Sequence, residues 1–452
     1  MEVRFEALEY RADGGFSPAV LRLEGDAATG WQLERNGHAH LGFGPGYELL
    51  AARACGVCAT DLARRFLPFP LPQVIGHEVL AVGAAAERRV IEINASCEAR
   101  GLTLCEVCAA GRARHCPERR VLGIHDLPGG FGPFVLSPRR AALPVPDALP
   151  DETATLVEPF AAALHAVRTV SPRRGDRVLV LGPRRLGMLV VAALAAERRR
   201  LGTSFEIVAG VRRPELGRLA SELGADSFEV VSSSAPPGPA FDVAIDTTGV
   251  PEGLTCALAS ARREVHLKST HGQPAGGLGH VTEMVVDELR VAPFDADLVA
   301  SEASGRPVAW LSAGEPPRGL AVERGTPAAL GRGAPYAAAV VDRAAAADAA
   351  IRPDPARESS LLAAGGTLWV EPGRGVEAAP LLEAVATRGL VVSTSRCGDF
   401  GEALSLLATD SELAEIGPRL VTHRFGPEAL AEAFRTAASP EARKVLIVHP
   451  QP

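Results

Sequence analysis

The chain has 452 residues, 47% of them apolar and 22% charged, which is enough for two or three domains with full cores. Forty-seven basic against 54 acidic residues leave a net charge of −7, and no basic run is long enough to follow a phosphate backbone or an anionic membrane surface. Nucleic acid and membrane are therefore excluded as expected partners. The opening MEVRFEALEYRADGG lacks the apolar core of a leader, and the longest apolar stretch, around Met188–Ala196, falls far short of the roughly 20 residues of a bilayer span. A cytoplasmic protein is expected.

Residues 1–150 set short β-branched runs between glycine and proline turns, as in PQVIGHEVLAVG and GGFGPFVLSP, which predicts an antiparallel β domain. At Asp151 the texture changes: DETATLVEPFAAALHAV reads as a helix opened by acidic residues. RGDRVLVLGPRRLGMLVVAALAAERRR then gives a buried strand, a glycine turn and a long apolar helix, and SFEIVAGVRRPELGRLASELGAD repeats the beat. Such alternation predicts a parallel, doubly wound α/β sheet over 151–296. Residues 297–388 read as an α/β insertion. Within it AAVVDRAAAAD and WVEP echo FDVAIDTTG and the strand that follows, so a degenerate repeat and a chance likeness between alanine-rich units both stand. Residues 389–417 return to the doubly wound domain, and 418–452 complete the β domain.

Eight cysteines in such a chain do not suggest a disulfide frame, and six of them fall between Cys55 and Cys116. Cys55-Gly-Val-Cys58-Ala-Thr60-Asp61 is followed by Gly76-His77-Glu78. Thiolate, imidazole and carboxylate together suit Zn²⁺; a buried core thiol and a turn histidine are the plain alternative. Cys105, Cys108 and Cys116 have zinc-ribbon spacing with Cys97 upstream, as a closed structural zinc site requires.

Together CGVCATD (55–61), GHE (76–78), CEVCAAGRARHC (105–116), VEP (157–159) and the closing THRF and KVLI resemble the zinc-dependent medium-chain dehydrogenases, the family of alcohol, sorbitol and threonine dehydrogenases. The resemblance implies a GroES-like catalytic domain over 1–150, completed by 418–452, and a Rossmann nucleotide-binding domain. It implies catalytic zinc on Cys58, His77 and Glu158, with Glu78 a fourth, exchangeable ligand. Thr60 would hydrogen-bond the substrate oxygen and begin proton removal, and Asp61 would orient the site. Structural zinc would take Cys97, Cys105, Cys108 and Cys116. The implied partners are a small alcohol, aldehyde or ketone and further copies of the chain, as a dimer or tetramer. Two departures stand out. Ala63 occupies the place of a common relay histidine, and Leu102 that of the first lobe cysteine, so Cys97 would need EARGL looped out.

The nucleotide site departs further. The turn reads Gly182-Pro183-Arg184-Arg185-Leu186-Gly187, with Arg184 where a G-x-G-x-x-G fingerprint has its middle glycine. Arg184 and Arg185 bonding the pyrophosphate, and a site that has lost its nucleotide, are the two readings. The second strand ends at Arg212-Arg213 rather than at an acid, which favours the extra phosphate of NADP(H) over NAD(H). Thr248, Gly249 and Lys268 end the next two strands and complete the candidate cofactor set; Lys268 is one of only two lysines. His125, His165, His266, His271, His280 and His423 read as structural or surface residues. The expected function is zinc-assisted hydride transfer, oxidative or, with NADPH, reductive. The alternative is a non-catalytic relative that keeps zinc and serves as a binding or scaffold subunit.

Overall fold

The structure is a computed structural model that describes residues 1–67, 69–231, 238–269, 272–331, 335–353, 360–373 and 375–450. The chain divides into two compact units, Met1–Ala161 with Cys397–Pro452, and Ala162–Arg396. Among the described residues no helix is long and apolar enough to cross a membrane.

The first unit is β-rich. Strands Glu2–Tyr10, Phe16–Asp26, Gly30–Arg35 and His38–Phe43 form an antiparallel meander. The unit's larger sheet is organised around Tyr47–Gly56, whose Leu50, Ala52, Ala54 and Cys55 are buried. Glu78–Val82 and Phe134–Pro138 pair with it antiparallel, and so does the late strand Lys444–Val448, with Ile447 opposite Cys55. This pairing brings Lys444, nearly 400 residues on in sequence, beside the segment that starts at Cys55. The sequence reading returned the chain to the first domain at 418; the structure joins everything from Cys397 to it. One tie is the Thr153 hydroxyl, which donates to Ala414 O at 2.6 Å.

The second unit holds, among the described residues, one eleven-stranded sheet. Its first six strands, in spatial order, are Ser227–Val230, Glu206–Val211, Arg177–Leu181, Phe241–Asp246, Ala261–Leu267 and Val391–Thr394, all parallel. That is the 3-2-1-4-5-6 order of a dinucleotide-binding sheet. Val178, Leu179, Val180, Ile207, Val208, Val243 and Ala244 are buried on both faces, which explains their unbroken apolar runs. The sheet continues through Arg290–Pro293, Leu362–Val370, Tyr336–Val341, Val308–Trp310 and Val322–Arg324. The junction is antiparallel, Val291 opposite Val392, and the five further strands are parallel among themselves.

A division at 296/297 does not describe this arrangement. Arg290–Pro293 follows Ala261–Leu267 in the chain yet pairs with Leu362–Val370, while Val391–Thr394, which follows Leu362–Val370, pairs with Ala261–Leu267. Each sixth strand sits against the other half. On the exchanged strand, polar residues match: Ser393 donates to Glu264 at 2.5 Å, and the His266 ring lies 2.8 Å from Ser393 Oγ and 2.9 Å from Ser395 Oγ. Arg290–Pro293 offers no such hydroxyls.

Candidate metal centre and nucleotide site

Strand Tyr47–Gly56 delivers the chain to a short turn of helix, Ala59–Leu62, capped by Cys58. Asp61, three residues past the cap, reaches back to accept the Cys58 N–H at 2.8 Å, so the C-x-x-D spacing fixes the cap and the thiol together. Asp61 is buried, and its other oxygen lies 3.2 Å from His77 Nδ1. With Nδ1 facing Asp61, Nε2 is the nitrogen that would be left for a metal ion, the usual division of labour in a carboxylate–histidine pair. Cys58 Sγ is 3.7 Å from the Thr60 hydroxyl.

Gly76 precedes His77 with φ +100°; a Cβ there would lie 2.7 Å from the Phe131 ring and 2.9 Å from Cys55 Sγ. Only glycine lets the chain turn so tightly into the strand that carries Glu78. Glu78 is buried and ion-paired with Lys444, whose ammonium also donates to Val57 O at 3.4 Å. Gly56 is what leaves room for this pair, since a Cβ there would overlap the Glu78 carboxylate.

The ligand atoms of Cys58, His77 and Glu78 all lie within 4.8 Å of one another. Burial alone would push the His77 pKa down, but Asp61 and Cys58 outweigh it and hold the pKa well above its usual value. Three donors of sulfur, nitrogen and oxygen type, His77 and Glu78 buried and Cys58 half-buried, fit a zinc ion. Glu158, expected as a ligand, is not part of this group. It stands on the first turn of helix Val157–Val170, where its charge acts on Glu92. The Glu92 carboxyl has its pKa raised to about 7, by desolvation first and by Glu158 in addition. Neither Glu92 nor the pairing role of Lys444 was foreseen from sequence, although Lys444 carried the same signal as Lys268, a lysine in an arginine-dominated chain.

The four lobe cysteines do come together. Their sulfurs lie within 4.8 Å of one another, Cys97 to Cys116 at 3.4 Å and Cys105 to Cys116 at 3.8 Å. A tetrahedron of thiolates about 2.3 Å from zinc has edges of about 3.8 Å, so the spacing fits that ion. Cys97 reaches the site because residues 97–102 form a tight turn, closed by Leu102 N–H to Cys97 O at 2.9 Å. The N–H of Cys108 holds the Cys105 thiol below its usual pKa.

In the second unit the candidate cofactor residues gather at the carboxyl ends of three adjacent strands. Gly182 leaves strand Arg177–Leu181 with φ +71°, and a Cβ there would lie 2.6 Å from Thr248 Cγ2; one on Gly187 would collide with the Thr247 hydroxyl. Both outer glycines are thus required by packing, and Arg184, half-exposed, takes the middle place between them. Helix Leu186–Leu201 begins here, so its free N–H groups complete a cradle suited to an anion. Arg212 is exposed at the end of Glu206–Val211, and Arg213 Nε lies 3.3 Å from Glu215. Thr248 and Gly249 follow Phe241–Asp246.

Lys268 is turned to another task. Its buried ammonium donates to Ser395 O at 2.9 Å, Ser395 Oγ at 3.1 Å and Arg396 O at 2.5 Å. His165 meets Glu288 at 2.8 Å and His280 meets Glu283 at 3.4 Å, while His271 lies outside the described residues. Asp246, at the base of the turn, is fully buried. Its Oδ1 accepts from Thr248 N–H at 2.9 Å and from the Thr248 hydroxyl at 2.7 Å, while Oδ2 has no partner among the described residues. Burial raises its pKa from 3.8 to about 6.

Comparison with known proteins agrees with this division. Residues 44–147 match the alcohol dehydrogenase GroES-like domain. Sorbitol dehydrogenase of Bacillus subtilis is 28% identical over 236 residues, 48% of this chain and 65% of that enzyme. L-threonine 3-dehydrogenase of Rhizobium rhizogenes is 31% identical over 197 residues, 40% and 54% of the two chains, and (R,R)-butanediol dehydrogenase of Bacillus subtilis is 30% identical over 238 residues, 48% and 67%. The chain therefore spans between about half and two thirds of these curated relatives. Among solved structures, L-idonate 5-dehydrogenase of Escherichia coli superposes with a TM-score of 0.57 at 17% identity, covering 99% of each chain. A Sinorhizobium meliloti protein bound to NADP superposes at 0.56 with 20% identity, also over 99% of each.

Proposed function

We propose that this chain, which belongs to the zinc-dependent medium-chain dehydrogenase family, transfers a hydride between a nicotinamide dinucleotide and the carbon of a small alcohol or carbonyl compound. One observation supports this above the rest: Cys58, His77 and Glu78 form a mixed-donor group in the GroES-like unit of a chain that also carries a dinucleotide-type sheet. Those three residues would hold the zinc, with Glu158 the candidate for a further ligand. When bound, zinc withdraws charge from the substrate oxygen and makes an alcohol more acidic.

The chain's own residues do the rest. Asp61 fixes the cap at Cys58 and faces His77 Nδ1 at 3.2 Å, so one carboxylate holds the relative aim of the two ligands. The Thr60 hydroxyl, 3.7 Å from Cys58 Sγ, is placed to take a proton from a substrate oxygen and pass it to water, since Ala63 offers no imidazole. Lys444 neutralises Glu78, which keeps a second carboxylate available in the pocket without the cost of an unpaired buried charge. In the second unit, Gly182 and the helix start at Leu186 would receive the pyrophosphate, and Arg184 and Arg185 would close over it. Arg212 and Arg213 support NADP(H) over NAD(H), with Glu215 giving way to the added phosphate.

The second reading, a zinc-bearing relative without turnover, draws on Arg184 in the glycine turn, on Ala63 in place of a relay histidine and on the inserted segment. A side chain in the place of Arg184 crowds the approach of pyrophosphate to the backbone. The two readings separate in a screen of polyols, secondary alcohols and their ketones, with nicotinamide absorbance as readout. The proposed function requires turnover with at least one of them, lost in Cys58→Ala together with one zinc per chain. Turnover that survives Cys58→Ala would overturn it.

A further inference from the structure

Arg64 is fully buried, with 0% of its surface exposed, and no described carboxylate lies within salt-bridge distance of its guanidinium. Burying a cation without an anion is expensive, and burial does push this guanidinium's pKa down, with the Asp61 charge opposing. The charge is spent on neutral acceptors instead. Nη1 donates to Phe69 O at 3.2 Å; Nη2 donates to Pro70 O at 3.1 Å, Gln73 Oε1 at 2.9 Å and Ile124 O at 2.8 Å. Nε has no partner among the described residues. The guanidinium also lies 5.7 Å over the Phe69 ring, which stacks on His125.

Three of these four acceptors share a place in the chain, and the fourth, Ile124 O, ties them to a separate segment. Arg64 sits one turn beyond Cys58 and three residues after Asp61, and Phe69, Pro70 and Gln73 lead directly into Gly76-His77. Among the described residues of the connection between Cys58 and His77, only Ala59–Leu62 is α-helix, followed by the 3-10 turn Arg64–Phe66. A planar fork with five fixed donors spans that connection where a flexible ammonium would not. We propose that Arg64 is a positioning residue for the metal centre, an internal brace that fixes His77 relative to Cys58 and Asp61. This rests on the reading that Cys58, His77 and Glu78 hold a metal ion.

The test loads metal-stripped protein with Co²⁺ and follows its visible absorption. The four-cysteine lobe provides an internal reference, because cobalt on four thiolates absorbs differently from cobalt on one. Arg64→Met should bind cobalt at the Cys58 centre at least tenfold more weakly and with an altered band, while the four-thiolate band stays as in wild type. Arg64→Lys keeps the charge but loses the fork and should fall between the two. Arg65→Met, at an exposed neighbour stacked on Phe66, should change nothing.

Wild-type affinity and band shape in both Arg64 variants would overturn the proposal while leaving the metal reading intact. Absence of any one-thiolate cobalt band in wild type would remove the metal reading itself. If Arg64→Met loses the four-thiolate band as well, it has not folded, and Arg64→Lys decides.

Discussion

Asp246 gives the sharpest stability prediction. Its carboxyl is wholly buried beneath the glycine turn, bonded through Oδ1 only, and its pKa is raised from 3.8 to about 6 by loss of solvent. A raised acid pKa means that the folded chain keeps a proton the unfolded chain releases. Stability therefore falls as pH rises through the window between about 4 and about 6, and the loss is complete above it. At about 1.4 kcal/mol per pH unit, the displacement corresponds to about 3 kcal/mol at neutral pH. Asp246→Asn keeps an oxygen for Thr248 and removes the charge. Urea unfolding of both proteins, followed through the buried Trp310 and Trp369 of the same unit, should give similar stabilities near pH 4. By pH 7.5 the variant should be the more stable by about 3 kcal/mol. A difference that stays constant across the range would refute the reasoning, because it would show Asp246 titrating at the same pH folded and unfolded.

Three further outcomes follow from the geometry. Lys444→Met strands the Glu78 carboxylate in the core and should cost about 3–5 kcal/mol in metal-free protein, and less once zinc is added, as measured by urea unfolding with and without zinc. Wild-type protein should hold two zinc ions per chain, and Cys97→Ser should hold one by elemental analysis; two ions retained would remove Cys97 from the site. In Arg212→Glu/Arg213→Glu, affinity for NADPH should fall at least tenfold with NADH affinity unchanged, a loss of about 1.4 kcal/mol or more by fluorescence titration.

How far the sequence carried depends on how local each signal was. The grouping of Cys58, His77 and Glu78 was legible because a cap, a turn and two donors sit within a few residues of one another: Asp61 follows Cys58 by three, and Glu78 adjoins His77. The alternating strand and helix runs announced the doubly wound sheet, since residues 178–181 and 207–211, buried on both faces, carry no polar residues to blur the pattern. The exchange of Arg290–Pro293 and Val391–Thr394 was not legible. Both are strands of four residues, and what distinguishes them is the match of Ser393 and the following Ser395 to Glu264 and His266, contacts separated by more than 120 residues. Lys268 was assigned to the cofactor from its place at a strand end, whereas its ammonium is directed to the Ser395–Arg396 turn. Arg64 carried no signal, because three of its four acceptors are main-chain carbonyls that any residue could have supplied.

The most direct measurement is a titration of purified, zinc-loaded protein with NADPH and, separately, with NADH, following nicotinamide fluorescence. Hydride transfer requires that at least one of them bind, and the arginines at 212 and 213 predict tight binding of NADPH with weak binding of NADH. No binding of either at concentrations well above micromolar would mean that Arg184 has closed the turn, and the dehydrogenase reading would be contradicted.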